Sequence, residues 1–405
     1  MLDDFGQRIR DIILSEMDLS RELSDEEICD LIGSVVSREA RDRPMTIKDR
    51  AELERTIFNS LRKLDVLQEL VDDRDVTEIM VNGPNDIFYE KAGRIQRFKG
   101  HFSSEEKLED VIQQIVGRHN RVVNQASPIV DTRLSDGSRV NIVLNPISIG
   151  GSAVSIRKFP EHPMSMERLV EIEALSPEVA RLLQILTQAK YNIFISGGTG
   201  SGKTTFLNAL SQYIPDDERI ITIEDSAELQ LLGAKNIVRL ETRNANTDGV
   251  TPITIRDLIR TALRMRPDRI IVGECRGAEA LDMLQAMNTG HDGSLSTGHA
   301  NSPHDIISRI ETMVLQGQDF PLNAIRQQIA SGIDIIVQLG RLRDKSRRVL
   351  EISEVDGFID GEIVLHTLYR FEETAVLDSG RIQGFLKKEG TLCHTDKLMA
   401  AGLSV

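Results

Sequence analysis

The run Gly197-Gly198-Thr199-Gly200-Ser201-Gly202-Lys203-Thr204-Thr205 lies between the apolar stretch Ile193-Phe194-Ile195 and a helical pattern carrying Phe206, Leu207 and Leu210. A GxxxxGK[ST] spacing between a strand and a helix is what a polyphosphate asks of a backbone. Glycines allow amide groups to wrap a phosphate in positive-φ conformations that side chains would block. The N-terminus of the following helix adds partial positive charge. Lys203 is expected to reach the β- and γ-phosphates of ATP, and the Thr204 hydroxyl to ligate Mg²⁺. The whole run from Gly197 to Thr205 is the candidate nucleotide cradle.

The surroundings support that setting. Beyond residue 170, buried strands are expected at Asn192–Ser196, Ile220–Ile223, Ile270–Val272, Gly293–Thr297 and Asp334–Leu339, with helices between them. Their unbroken Ile and Val content suits a parallel sheet covered on both faces, so 171–372 reads as a doubly wound α/β domain that carries the nucleotide loop. Residues 71–159 read as a smaller α+β domain: short strands at Val76–Val81, Ile87–Glu90, Val140–Leu144 and Ala153–Phe159, and a helix capped by Ser103 and Glu106 that reaches Gly117. Residues 160–170, with Pro160 and Pro163, read as a linker.

Residues 1–70 read as a helical extension. Phe5, Ile9, Ile12, Ile13 and Met17 recur at helical spacing, Ser24 and Glu27 form a capping box, and Leu53, Ile57, Leu61 and Leu64 follow a break at Arg41–Pro44. These stripes pack within the extension, onto its neighbour, or against a partner helix. From 373 to 405 the periodicity is lost, and the segment reads as a tail.

Carboxylates at strand ends supply the candidate catalytic groups. Glu224, Asp225 and Glu228 follow Ile220–Ile223, at the end where an α/β sheet opens its ligand crevice, and one of them is placed to orient the attacking water. Glu274 ends Arg269–Val272 as a Walker B group acting on Mg²⁺ directly or through water, with a Gly-Glu pair where an aspartate is usual. His291 and His299 bracket Gly293–Thr297. No third or fourth ligand accompanies them at zinc spacing, which leaves γ-phosphate sensing, a subunit contact, or plain structure. Arg133, Arg139 and Arg157 lie outside the nucleotide fold in sequence. Either they form surface ion pairs, or they reach across a boundary to stabilise charge on the γ-phosphate. Arg341, Arg343, Lys345, Arg347 and Arg348 read as a hairpin tip that faces solvent, an acidic partner or anionic lipid.

Composition narrows the function further. The formal net charge of -14 works against phosphate-backbone binding, and an aromatic content of 4 % without tryptophan leaves few stacking platforms, so no nucleic-acid partner is expected. Cys29, Cys275 and Cys393 form no CxxC pair, so no disulfide scaffold and no zinc are expected. With no apolar run near 18 residues and an acidic N-terminus, the chain is expected in the cytoplasm.

Larger motifs add a family resemblance. TIEDSAEL at 222–229, RPDRIIVGECRGAEA at 266–280, TGHDGSLSTGHAN at 289–301, TEIMVNGP at 77–84 and DTRLSDGSRVN at 131–141 resemble the secretion ATPases of type II and type IV systems. SRRVLEISEV at 346–355 and the helical extension are similar to the CpaF-like ATPases of Tad (tight adherence) pili. The resemblance spans roughly residues 60–372. It implies a homohexameric ring with nucleotide held between a PAS-like N-terminal domain and the RecA-like domain. It also implies catalytic roles for Glu224 and Glu274, sensing by His291 and His299, and charge stabilisation by the three arginines. The implied partner is an integral-membrane pilus or secretion platform, on which the chain docks as a peripheral protein of the inner membrane. Two other readings remain: a RecA-like nucleic-acid translocase, and an adaptor that binds nucleotide without hydrolysing it.

Overall fold

The helical extension folds because each helix offers one apolar stripe, and the second and third also carry a firm N-terminal stop. In the computed structural model, α1 (Asp4–Glu16), α2 (Asp25–Glu39) and α3 (Ile47–Arg62) share a core of Ile9, Ile13, Ile28, Ile32, Val35, Val36 and Ile57. The expected capping box of Ser24 and Glu27 is present, and Thr46 with Asp49 forms a second one on α3. The structure describes all residues except 1–3, 18–19, 22, 42, 44, 92, 119–121, 160–162, 232 and 244–250. Part of the Arg41–Pro44 break and Pro160 of the expected linker therefore lie outside the described residues.

After α4 (Leu67–Asp72) come β1 (Val76–Asn82), β2 (Ile87–Lys91), β3 (Arg94–Arg97), α5 (Glu105–Gly117), β4 (Ile129–Arg133), β5 (Arg139–Val143) and β6 (Ala153–Arg157). The strands form an antiparallel sheet in the order β3-β2-β1-β6-β5-β4. Alternate strand residues such as Ile79, Val81, Val140, Ile142, Val154 and Ile156 join Leu108, Ile112 and Ile115 of α5 in one core. The cap of α5 is Ser104, whose side chain accepts from the Lys107 amide, rather than the expected Ser103. Contacts divide the chain into two units, Met1–Glu161 and His162–Val405.

In the second unit α6 (Met166–Glu171) and α7 (Pro177–Gln188) precede β7 (Ile193–Gly197), α8 (Lys203–Ser211), β8 (Arg219–Glu224), β9 (Asn236–Glu241), α9 (Ile255–Ala262), β10 (Arg269–Val272) and α10 (Glu279–Asn288). β11 (Leu295–Gly298), α11 (Pro303–Gly317), α12 (Leu322–Gly332), β12 (Ile335–Arg341), β13 (Arg347–Ile359), β14 (Glu362–Val376), β15 (Ile382–Lys388) and α13 (Asp396–Ala401) complete it. The strands form one nine-stranded sheet in the order β15-β14-β13-β12-β7-β11-β10-β8-β9. From β12 to β9 the pairing is parallel throughout, and the five strands expected from the sequence all lie in this part. Two apolar clusters cover its faces, one around α7 and α8 and the other around α9–α12, as a parallel sheet requires.

The segment read as a tail from 373 to 405 is structured. β13, β14 and β15 extend the sheet in antiparallel fashion, and Leu398 of α13 is buried in the core that holds Leu183 and Ile193. Its polar groups are also tied down. The Tyr191 hydroxyl donates to the His394 carbonyl, and the amides of Cys393 and His394 donate to the Glu354 carboxylate. The segment borrows its hydrophobic partners from α7 and β7 and so shows little periodicity of its own. Among the described residues no helix is long and apolar enough to cross a membrane.

Candidate nucleotide site

The carboxyl ends of the parallel strands build the site. β7 is buried along its whole length and delivers the chain into the loop, where Gly200 (φ 71°) and Gly202 (φ 94°) take the left-handed conformation. A Cβ at Gly197 would lie 2.7 Å from the Leu339 carbonyl of neighbouring β12, so the last residue of the strand must be glycine. At Gly198 and Gly200 the corresponding space is open. α8 begins at Lys203 with Gly202 as its cap, which offers no side-chain hydrogen bond to the first amides.

The polar groups inside the loop fit a triphosphate. Lys203 Nζ is turned inward, donating to the carbonyls of Gly197 (3.0 Å) and Gly198 (3.1 Å). Ser201 is 4 % exposed, and its hydroxyl has no hydrogen-bond partner among the described residues. A buried orphan hydroxyl and a buried ammonium, beside uncapped amides and open glycine faces, are what an anion would satisfy. Burial pushes the Lys203 ammonium below the usual lysine range, with Glu274 pulling it up and Arg276 pushing it down. Thr204 and Thr205 follow in the first turn of α8. One threonine and one carboxylate suit Mg²⁺, which keeps waters and takes its remaining ligands from phosphates.

His299 and Glu274 converge on that lysine. β10 and β11 are adjacent and parallel, so the residues just past their ends meet at the loop. His299 Nδ1 lies 3.2 Å from Lys203 Nζ, and its Nε2 lies 2.7 Å from Glu274 Oε1, a close approach without hydrogen-bond alignment. Arg276 Nη2 donates to the other oxygen of Glu274 at 2.7 Å, and its Nη1 stands 3.6 Å from Asp225. Burial is the largest single influence on Glu274 and raises its pKa. The Arg276 hydrogen bond and the charges of Arg276, His299 and Lys203 outweigh it and hold the carboxyl below the usual range. His299 is pushed below its usual value of 6.5 by burial, with Glu274 opposing and the nearby cations assisting.

Glu224 sits beside this group in a different capacity. Its Oε1 accepts from the amides of Glu228 (2.8 Å) and Leu229 (2.9 Å), while Asn208 of α8 accepts from the Gln230 amide. The carboxylate therefore shapes the 225–231 loop. Gly273 makes room for it: a Cβ there would lie 2.9 Å from Glu224 Cγ. The Gly-Glu pair at 273–274 thus has a packing cause that the sequence did not reveal.

The two histidines are separated. His299 follows β11 at the loop end, whereas His291 precedes β11 at the opposite end of the strand, with its Nδ1 3.3 Å from the Ala286 carbonyl. The arginines of the first unit are brought together. Arg133 pairs across from Arg139, and Arg139 from Arg157, so the three form one lateral row over β4, β5 and β6. Opposed residues of antiparallel neighbours share a face, so the three guanidinium groups leave the same side of the sheet.

The hairpin of basic residues is present between β12 and β13, but only part of it faces solvent. Arg343 pairs with Glu373, and Arg348 is buried on Glu173 and the Ile382 carbonyl. Arg347 reaches the phosphate loop, where its Nε donates to the Gly200 carbonyl at 2.9 Å. Sequence reasoning named Arg347 without placing it there, because 147 positions separate the pair. Arg276 was also passed over, although it lies within the quoted 266–280 motif.

The model of the family described as "Type II/IV secretion system protein" matches residues 60–381. A putative conjugal transfer protein of Mycobacterium tuberculosis is 33% identical over 322 residues, 77% of this chain and 91% of that protein. The type IV secretion system protein PtlH of Bordetella pertussis is 33% identical over 320 residues, 73% of this chain and 94% of its own length. Among solved structures, the pilus retraction motor PilT with bound ADP shares the fold at TM-score 0.54 and 23% identity, covering 75% of this chain and 81% of that one. The chain belongs to the type II/IV secretion system protein family and is one of its P-loop ATPases.

Proposed function

We propose that the chain is one subunit of a homohexameric, Mg²⁺-dependent motor that hydrolyses ATP to drive Tad-type or related type IV pilus assembly, pilus retraction, or secretion. It works from the cytoplasmic face of the inner membrane, docked on an integral-membrane platform. The observation that carries this reading is the meeting of Lys203, His299 and Glu274 within 3.2 Å steps at the mouth of the glycine loop. A loop that only held nucleotide would need no such polar relay beside the γ-phosphate position.

Each group has a task that follows from its surroundings. Lys203 is buried and released from the Gly197 and Gly198 carbonyls when phosphate oxygens replace them. Bound Mg²⁺ supplies neutralisation of the β- and γ-oxygens. Glu274, kept ionised by Arg276, and Thr204 are the residues that would hold the ion, the carboxylate directly or through water. His299 bridges lysine and carboxylate and so registers whether the γ-phosphate is present. Glu224 holds the 225–231 loop in shape beside the site. The arginine row of Arg133, Arg139 and Arg157 supplies charge to the transition state.

The decisive measurement is phosphate release by the purified chain with ATP and Mg²⁺, together with its mass in solution. Turnover that disappears in Lys203→Ala, and a nucleotide-dependent assembly of about six subunits, are expected. Turnover retained by Lys203→Ala, or a chain that stays monomeric with nucleotide, would sink the reading.

A further inference from the structure

Arg347 and Arg348 are neighbours on β13, so their side chains leave opposite faces of the sheet. Arg348 is spent internally: its terminal nitrogens donate to the carbonyls of Glu173 and Ile382 and approach the Glu173 carboxylate. Arg343, on the preceding turn, is spent on Glu373. Arg347 has a different setting. Its Nε donates to the Gly200 carbonyl, its Cδ lies 3.6 Å from where a Cβ of Gly202 would stand, and among the described residues no carboxylate pairs with it. A guanidinium offers five N–H donors, and among the described residues only its Nε–H is engaged. The backbone beneath is fixed, because Arg347 pairs with Arg341 and Arg348 with Gly340 in the β12–β13 ladder.

We propose that Arg347 binds the polyphosphate of the nucleotide in the same subunit, its Nε held on Gly200 while its terminal nitrogens contact phosphate oxygens at the loop rim. The inference rests on the ATP reading above and adds a contact to it. One hydrogen bond orients the group, and the remaining charge is left for an anion. A planar fork with parallel donors suits phosphate oxygens better than an ammonium does. The position also differs in kind from that of Arg133, Arg139 and Arg157. It lies on the sheet that carries the loop itself, so its contribution needs no second subunit.

Equilibrium binding of a fluorescent ADP and of inorganic pyrophosphate to the full chain, with thermal unfolding of each variant without ligand, tests this. Arg347→Ala and Arg347→Gln are expected to weaken both ligands about ten- to hundredfold, and Arg347→Lys to recover part of the loss. The unfolding midpoint stays near wild type, because the side chain is exposed. Glutamine can still donate to Gly200 but carries no charge. An Arg347→Gln variant that binds as wild type does would overturn the proposal and reduce Arg347 to a strut of the loop. Wild-type protein that binds neither ligand would remove the ATP reading and this inference with it, an outcome distinct from the first.

Discussion

Lys203 Nζ stands 3.2 Å from Nδ1 of His299. An ammonium has only donors, so a contact of this kind requires the ring nitrogen facing it to be an acceptor. The imidazole is therefore neutral in this arrangement, with its proton on Nε2, toward Glu274. Protonating His299 would set a second cation beside Lys203, and burial already disfavours it.

That relationship predicts a pH dependence. His299 has a folded pKa below its usual 6.5, so between the two values the unfolded chain holds more protons than the folded one. Its contribution to stability falls as the pH drops through that window, and levels off below it. Denaturant midpoints measured from pH 7 downward should fall less steeply in His299→Gln than in wild type, and the acid limb of kcat/KM should flatten with them. Identical pH slopes in the two proteins would show that the imidazole does not titrate against Lys203.

Gly273 predicts a steric effect on catalysis. A methyl group at that position meets Glu224 Cγ at 2.9 Å and Oε1 at 3.4 Å, so Gly273→Ala must displace the carboxylate that holds the amides of Glu228 and Leu229. Overpacking of this kind costs about 1–3 kcal/mol, measurable by chemical unfolding. Phosphate release should fall by more than this stability loss accounts for, while nucleotide affinity stays within a few-fold, because the loop of Gly197–Thr205 is untouched.

The C-terminal helix predicts a stability effect far from the site. Leu398 is 4 % exposed, and Lys397 joins Asp292 and Asp334 at 2.8 and 2.7 Å. Leu398→Ala should lower stability by about 2–5 kcal/mol, read from a two-state unfolding curve of the second unit. A loss below about 0.5 kcal/mol would mean that α13 does not belong to that core.

What the sequence showed plainly was whatever is local. The loop from Gly197 to Thr205, the parallel strands with their Ile and Val runs, and the Ser24–Glu27 cap all carry their signals within a few residues. Glu274 was legible because it ends a buried strand. Relations across the sheet were not. His291 and His299 look like a pair in sequence, yet one strand runs between them and carries them to opposite ends of the parallel strands. Arg347 looked like part of a solvent-facing tip, because the hydrogen bond that places it joins residues 147 positions apart. Strands β14 and β15 fell where periodicity is weak, since their faces pack against distant helices or lie open to solvent.

The two adjacent arginines of β13 make the length of one turn a functional quantity. The reversal at 342–346 returns the chain beside β12, with residue 347 opposite 341. Removing a single residue there would turn the strand over, sending the guanidinium now on Gly200 toward Glu173 and the buried one toward the glycine loop. A slip of two would restore the faces but shift the contact along the strand by roughly 7 Å, out of reach of the loop. Spacing in this hairpin is thus as tightly constrained as spacing among the glycines it touches.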